Sequence, residues 1–201
     1  MAKKKNTRKA SFSETIGLNI LQNDIFNFIF GILLFIFSVW MIVAFISYFS
    51  TAAEDQSLVM ELRSGDLFNT NHVFMNMCGP LGALVSDFFI AQCFGFSAFI
   101  IPFFLCLVGL NMIKAYKTNL LKCFLCLSVV MLWFSVALAK FLTPFIGDEV
   151  YNPGGGHGEF CAQWLENVTG VPGLVGILAV VAIIFLTYLT TETVNVVRKM
   201  L

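Results

Sequence analysis

The sequence predicts an all-α membrane protein: four transmembrane helices in two tandem units, each with a short amphipathic outer-surface helix before its second span. Three observations predict it. Of the 201 residues, 58% are hydrophobic and 12% charged, against about 45–50% and about 25% in soluble domains. With 23 Phe and a mean hydropathy of +0.85, the chain carries more apolar surface than a soluble globule can hide. That excludes soluble enzymes and soluble binding modules, and the aromatic content excludes disorder. Second, residues 25–53, 88–113, 123–139 and 167–191 contain no Asp, Glu, Lys or Arg. Third, a Gly-x-x-Gly opening followed by a dozen residues and a glycine break occurs twice, each time ahead of a long apolar run.

The spans follow in order. A helix rises 1.5 Å per residue and needs about 20 apolar residues to cross a core of roughly 30 Å. The first, near 25–49, is almost wholly Ile, Leu, Val, Phe, Trp and Met. Basic residues precede it, and Ser50-Thr51-Ala52 looks like a cleavage site, but signal-peptide apolar regions run only about 7–15 residues. The second span is expected near 96–114, after Gly95 and containing Pro102. The third, near 119–142, is short between charges unless Lys122 and Lys140 snorkel to opposite headgroup layers. The fourth runs near 173–193, after Gly170, Pro172 and Gly173.

Orientation follows from where Lys and Arg fall. A basic tail, 1–24, holds Lys3, Lys4, Lys5, Arg8 and Lys9; the loop between spans two and three holds Lys114, Lys117 and Lys122; the C-terminal end holds Arg198 and Lys199. Only Arg63 and Lys140 lie on the other side, among Glu54, Asp55, Glu61, Asp66, Asp148, Glu149, Glu159 and Glu166. Both termini are therefore expected in the cytoplasm. The tail suits anionic lipid. The 12 basic residues balance 12 acidic ones, so net charge gives no argument for a nucleic-acid surface.

The repeat aligns Gly79-Pro-Leu-Gly82 with Gly155-Gly-His-Gly158, and Gly95 with Gly170. Between them Val85, Phe88, Phe89 and Gln92 share the phase of Cys161, Trp164, Leu165 and Val168. That i, i+3, i+4, i+7 spacing predicts an apolar stripe on two surface helices, near 80–93 and 158–168. Asp87 then faces water or headgroups. A re-entrant, pore-forming reading needs intramembrane ionisable groups, which are lacking.

Reactive chemistry is sparse. Cys93, Cys106, Cys123 and Cys126 sit in or beside spans, where a thiol acts as a small hydrophobe. Cys123-x-x-Cys126 has no second pair to complete a zinc site, while Cys78 and Cys161 share the outer side and could pair there. His72 and His157 read as solvated loop residues, and Asn167-Val168-Thr169 is a sequon of the kind that arises by chance. Gly170, Gly173 and Gly176, and Ala91 with Gly95, form small faces suited to packing within or between subunits. Trp40, Trp133, Tyr48, Tyr116 and Tyr188 need only packing or interface roles. No catalytic, cofactor or metal residue is assigned.

Cys78-Gly-Pro-Leu-Gly-Ala-Leu-Val-Ser-Asp87, Phe94-Gly-Phe-Ser-Ala98 and Pro102, with Asn152-Pro-Gly-Gly-Gly156 through Gly170-Val-Pro-Gly173, resemble the four-span N-terminal membrane domain of the FtsK/SpoIIIE DNA translocases, from about residue 20 to the end. The family pattern opens N–G–x–x–G–x–x–x–x–D in the first copy and Gly-Gly-x-x-Gly in the second. Here Cys78 stands for the Asn, with Asn76 close by, and His157 separates the second glycines.

The resemblance implies a bacterial inner-membrane anchor at the division septum, joining chromosome segregation to septum closure. It implies a homo-oligomer ringed through the motor, and contacts with other division proteins and the bilayer. ATP, Mg and DNA would engage only the cytoplasmic motor, whose Gly-x-x-x-x-Gly-Lys-Ser/Thr loop is absent here. The chain is thus expected to be the non-enzymatic membrane part, 25–201, of a longer protein. The alternative is a small four-span transporter or channel subunit, with only Asn27, Asn111, Ser128, Ser135 and Thr187 to line a path. A membrane-embedded enzyme lacks paired carboxylates, His clusters or a Ser/Lys dyad at membrane depth.

Overall fold

The computed structural model describes residues 24–61, 73–146 and 152–200, without the side chains of residues 61 and 192–200. Residues 1–23 of the basic tail, Arg63, Asp66, His72, Asp148 and Glu149 lie outside the described residues, as do the Arg198 and Lys199 side chains. All described elements are helical: α1 (Asp24–Glu61), α2 (Gly79–Ser86), a π segment (Asp87–Phe94), a 3-10 turn (Gly95–Phe99), α3 (Ile100–Met112), α4 (Leu120–Phe141), α5 (Thr143–Ile146) and α6 (Gly155–Met200), broken at Gly170. Among the described residues four stretches are long and apolar enough to cross a membrane: Asp24–Met60, Gly79–Met112, Leu120–Phe141 and Gly155–Thr191. The protein is an all-α membrane protein.

The helices alternate in direction, so α1, α4 and the start of α6 meet at one end of the bundle, which we call the seam end. At 38 residues α1 is about 57 Å long, well beyond a hydrocarbon core. Its last turns, expected in a loop after 49, instead extend the helix at the seam end. At the other end Asn119 caps α4 by accepting from the Lys122 amide at 3.1 Å, and Asn111 Nδ2 donates to the Thr118 carbonyl at 3.0 Å. Lys114 there pairs with Asp24 at 2.8 Å. Both partners are well exposed, so the pair adds little.

Packing falls into two clusters. In the first half Met41, Phe45, Tyr48 and Ala52 of α1 enclose Ile90 and Ala98. Farther along, α1 and α3 cross backbone to backbone, for a Cβ on Gly31 would lie 2.9 Å from the Gly109 carbonyl oxygen and one on Gly109 2.8 Å from that of Gly31. In the second half Val136 and Ala137 of α4 meet Ala162, Leu174 and Leu178 of α6. The Trp133 indole N–H also donates to the Leu178 carbonyl at 2.9 Å, a polar link between two spans. Between α3 and α4 a crevice of about 100 Å³ remains, beside Phe104 and Phe124 at 5.5 Å.

The expected apolar stripes are split: Val85, Phe89, Cys161 and Leu165 are partly buried against the two cores, while Phe88, Trp164 and Val168 face outward. Trp164 is 56% exposed and Val168 64%, while Ala162 is buried. In the first copy Phe88 is exposed, and Gly82, Ala83, Ser86 and Ile90 turn inward. Lipid removes the reason for large apolar groups to seek the protein interior. Contact between elements then goes to small residues, which allow close approach.

Candidate functional site

The strongest site is the seam where the two repeats meet. Each repeat opens on the same asparagine-built turn. In the first, Asn76 Oδ1 accepts from the Cys78 amide at 3.0 Å and its carbonyl from the Gly79 amide at 2.8 Å. In the second, Asn152 Oδ1 accepts from the Gly154 amide at 2.9 Å and its carbonyl from the Gly155 amide at 2.8 Å. Gly79 and Gly155 have φ of 67° and 69°, and the closing breaks Gly95 and Gly170 have 63° and 71°. The shared signature is therefore Asn-x-x-Gly-x-x-Gly, at 76–82 and 152–158. Cys78 stands at the family's Asn position, and the turn is built by the nearby Asn76. The signal was visible in the sequence, three residues before the opening glycine of both copies.

The first copy is one residue longer between its two marker glycines. The π segment Asp87–Phe94 absorbs it, because i→i+5 bonding accommodates an extra residue without ending the helix.

The copies interlock at their glycines. The Phe96 amide donates to the Pro153 carbonyl at 2.9 Å. A Cβ on Gly95 would lie 1.9 Å from that oxygen, and one on Gly155 would lie 2.4 Å from the Gly95 nitrogen. No side chain fits on either face, and Gly95 also needs its positive φ. On the other side of the second turn, Ser135 Oγ of α4 donates to the Gly154 carbonyl at 2.6 Å. Added Cβ atoms on Gly154 and Gly158 would each lie 2.2 Å from the Ser135 carbonyl oxygen. The second turn is thus clamped between the break of the first repeat and the fourth helix.

The first turn is held by α1. Asp55, 3% exposed, accepts from the Met75 amide at 2.7 Å and the Asn76 amide at 2.9 Å. Ser47 Oγ accepts from the Met77 amide at 2.9 Å, and Asn76 Nδ2 donates to the Ala44 carbonyl at 3.1 Å. Asp55, expected among the acidic loop residues, is a buried backbone anchor instead. No spacing marked it, since its ligands are amides from a segment twenty residues on. Asp87 is half-buried rather than simply solvated: Gln92 Nε2 donates to it at 2.7 Å and the Tyr48 hydroxyl at 3.5 Å.

The remaining candidates separate. All six cysteines are free. Cys78 donates to the Trp40 carbonyl at 3.6 Å, and burial pushes its thiol above the usual range; Cys161 faces His157, so the Cys78–Cys161 pairing is not formed. Cys123 instead contacts the Thr118 hydroxyl at 3.3 Å. Among the described residues no group of three His, Cys, Asp or Glu could hold a metal. His157 is no loop histidine but lies in the first turn of α6, half-buried against the Phe94 ring at 5.3 Å. Thr169 of the sequon bonds its own helix at the Leu165 carbonyl. A Cβ on Gly176 would touch nothing, so the expected small face at that residue is not used within the chain.

Of the polar residues proposed to line a path, Asn111 closes the α3–α4 turn, Ser135 holds the seam and Thr187 bonds the Ile183 carbonyl. They occupy three different places. Lys140 and Glu166, half-buried and 2.5 Å apart, brace α4 against α6 beside a polar cleft of about 220 Å³.

Comparison with curated proteins gives no match, and comparison with solved structures gives none either. The family model describing the 4TM region of DNA translocase FtsK/SpoIIIE matches residues 23–201, the span that holds all four membrane helices and both interlocked repeats, and the chain belongs to that family.

Proposed function

We propose that this region anchors and assembles a DNA translocase at the division septum of a bacterial inner membrane, holding its cytoplasmic motor there. The observation that carries the reading is the seam. The well-placed polar groups Asp55, Asn76, Ser135 and Asn152 are used to hold backbone to backbone, as suits a scaffold. Four spans locked this way restrain a tethered motor in position and raise its local concentration. The one-sided Lys and Arg distribution supports cytoplasmic termini, with the seam at the outer face. In this reading the segment performs no turnover. ATP and Mg serve only the motor, DNA is met only through it, and other division proteins and further copies of the chain are the partners.

The test is a fluorescent reporter joined after Leu201 and imaged in dividing cells. A band at the septum is expected. A folded, evenly distributed membrane signal contradicts septal tethering. Reporters near Thr118 should read cytoplasmic and near Gly65 periplasmic. A proton or ion flux in proteoliposomes that Asp87→Asn abolishes would favour the transporter reading instead.

A further inference from the structure

At the seam, three side chains from two helices line up as Ser135, His157 and Cys161. Ser135 Oγ lies 3.3 Å from His157 Nδ1, and His157 Nε2 lies 3.5 Å from Cys161 Sγ. The proton assignment follows from the neighbours. Ser135 spends its only hydrogen on the Gly154 carbonyl at 2.6 Å, so toward His157 it can only accept. Nδ1 therefore carries the ring proton, and Nε2 presents a lone pair to the thiol. A nucleophile, a base beside it and a third group that fixes the base's tautomer are the parts of an activated thiol. The arrangement is rigid. Gly154 and Gly158 lie flush on the Ser135 backbone, and the Phe94 ring covers His157. Cys161 is partly buried beside the second core and not enclosed.

We propose that Cys161 is a reactive thiol that undergoes thiol–disulfide exchange with small disulfides, His157 acting as its base. In the exchange the Sγ proton passes to Nε2 as the thiolate attacks one sulfur of R–S–S–R. The Cys161–S bond forms and the old S–S bond breaks. The departing RS⁻ takes the proton back from the imidazolium and leaves as RSH. Cys161 is oxidised and half of the small disulfide is reduced, so no further oxidant is needed. Cys78 is the internal contrast: its thiol faces a carbonyl, which cannot take its proton, and burial raises its pKa. The charged groups nearest in sequence on α6, Glu159 and Glu166, fall two and nine residues beyond His157, on the opposite helix face. Glu166 there pairs with Lys140 of α4.

The experiment treats the whole chain in membrane vesicles open to both sides with glutathione disulfide, and follows the adduct at each cysteine by peptide mass. Cys161 should form its adduct about tenfold or more faster than Cys78 at pH 7, and His157→Gln should remove most of that advantage. Ser135→Ala, which frees the imidazole to take either tautomer, should fall between. Should His157→Gln fail to fold, the unaltered chain still decides: the Cys161-to-Cys78 rate ratio should shrink from pH 7 to about pH 9.5, where thiols ionise without a base. Equal rates at the two cysteines, an unchanged rate in folded His157→Gln, or a ratio independent of pH would each overturn the proposal. None of these outcomes depends on septal anchoring.

Discussion

The two halves start from one turn and hold it by different means. In the first, Asp55 reaches the turn from the overlong α1 and accepts two amides with a buried carboxylate. In the second, neutral hydroxyls do the work, with Thr143 donating to Asn152 Oδ1 at 3.2 Å and Ser135 to the Gly154 carbonyl. The halves also differ in cover: 28% of the most apolar window of α1 is buried, against 11% in α6. The turn geometry is thus set by the Asn and Gly residues themselves. What surrounds it decides how firmly it is held and how much of each half is left to lipid.

The largest expected effect separates the two break glycines. Gly95→Val puts a side chain into the Pro153 carbonyl as well as an unfavourable φ, and should cost more than about 4 kcal/mol, enough to lose the folded form. Gly170→Ala shares the positive φ, with ψ of 170° in a region nearly reserved for glycine, but meets nothing closer than the Pro172 ring at 3.7 Å, so about 1–3 kcal/mol is expected. Denaturant titration of the purified protein in mixed micelles measures both. Equal losses would mean that the seam adds nothing to backbone strain.

Asp55→Asn tests the charged anchor. An amide oxygen replaces two charge-assisted contacts in a buried place, and a loss of about 2–3 kcal/mol is expected by the same titration. In the second half Lys140→Met, which removes a partly screened ion pair, should cost only about 1 kcal/mol or less. A larger effect at Lys140 than at Asp55 would reverse the ranking of the two halves. The smallest change is expected at Gly176→Ala, within about 0.5 kcal/mol for the single chain, because the new methyl meets open space. A cost of 2 kcal/mol or more there would show that α6 packs differently.

The spans were legible because charge-free runs of that length have few alternatives, and helices lie at Leu120–Phe141, where 119–142 was expected, and at Ile100–Met112, inside the region expected at 96–114. The glycine breaks were legible because a positive φ selects glycine. Three features were not. In each stripe Val85, Phe89, Cys161 and Leu165 pack inward while Phe88, Trp164 and Val168 are left exposed, a division that apolar periodicity does not contain. Asp55 looks like any acidic residue after a span until the distant 75–76 amides arrive. The Gly31–Gly109 crossing joins residues from separate helices, and no local pattern at either one announces the other.

The lock between the two repeats is the Gly95–Pro153 contact. Its most direct test introduces Phe94→Cys and His157→Cys, at positions whose rings now lie 5.3 Å apart, and maps the crosslinks of a short thiol-reactive linker by peptide mass in native membranes. An intramolecular 94–157 crosslink in most of the protein, abolished by Gly95→Val, is the predicted result. Reactive cysteines at both positions that never join within one chain would contradict it.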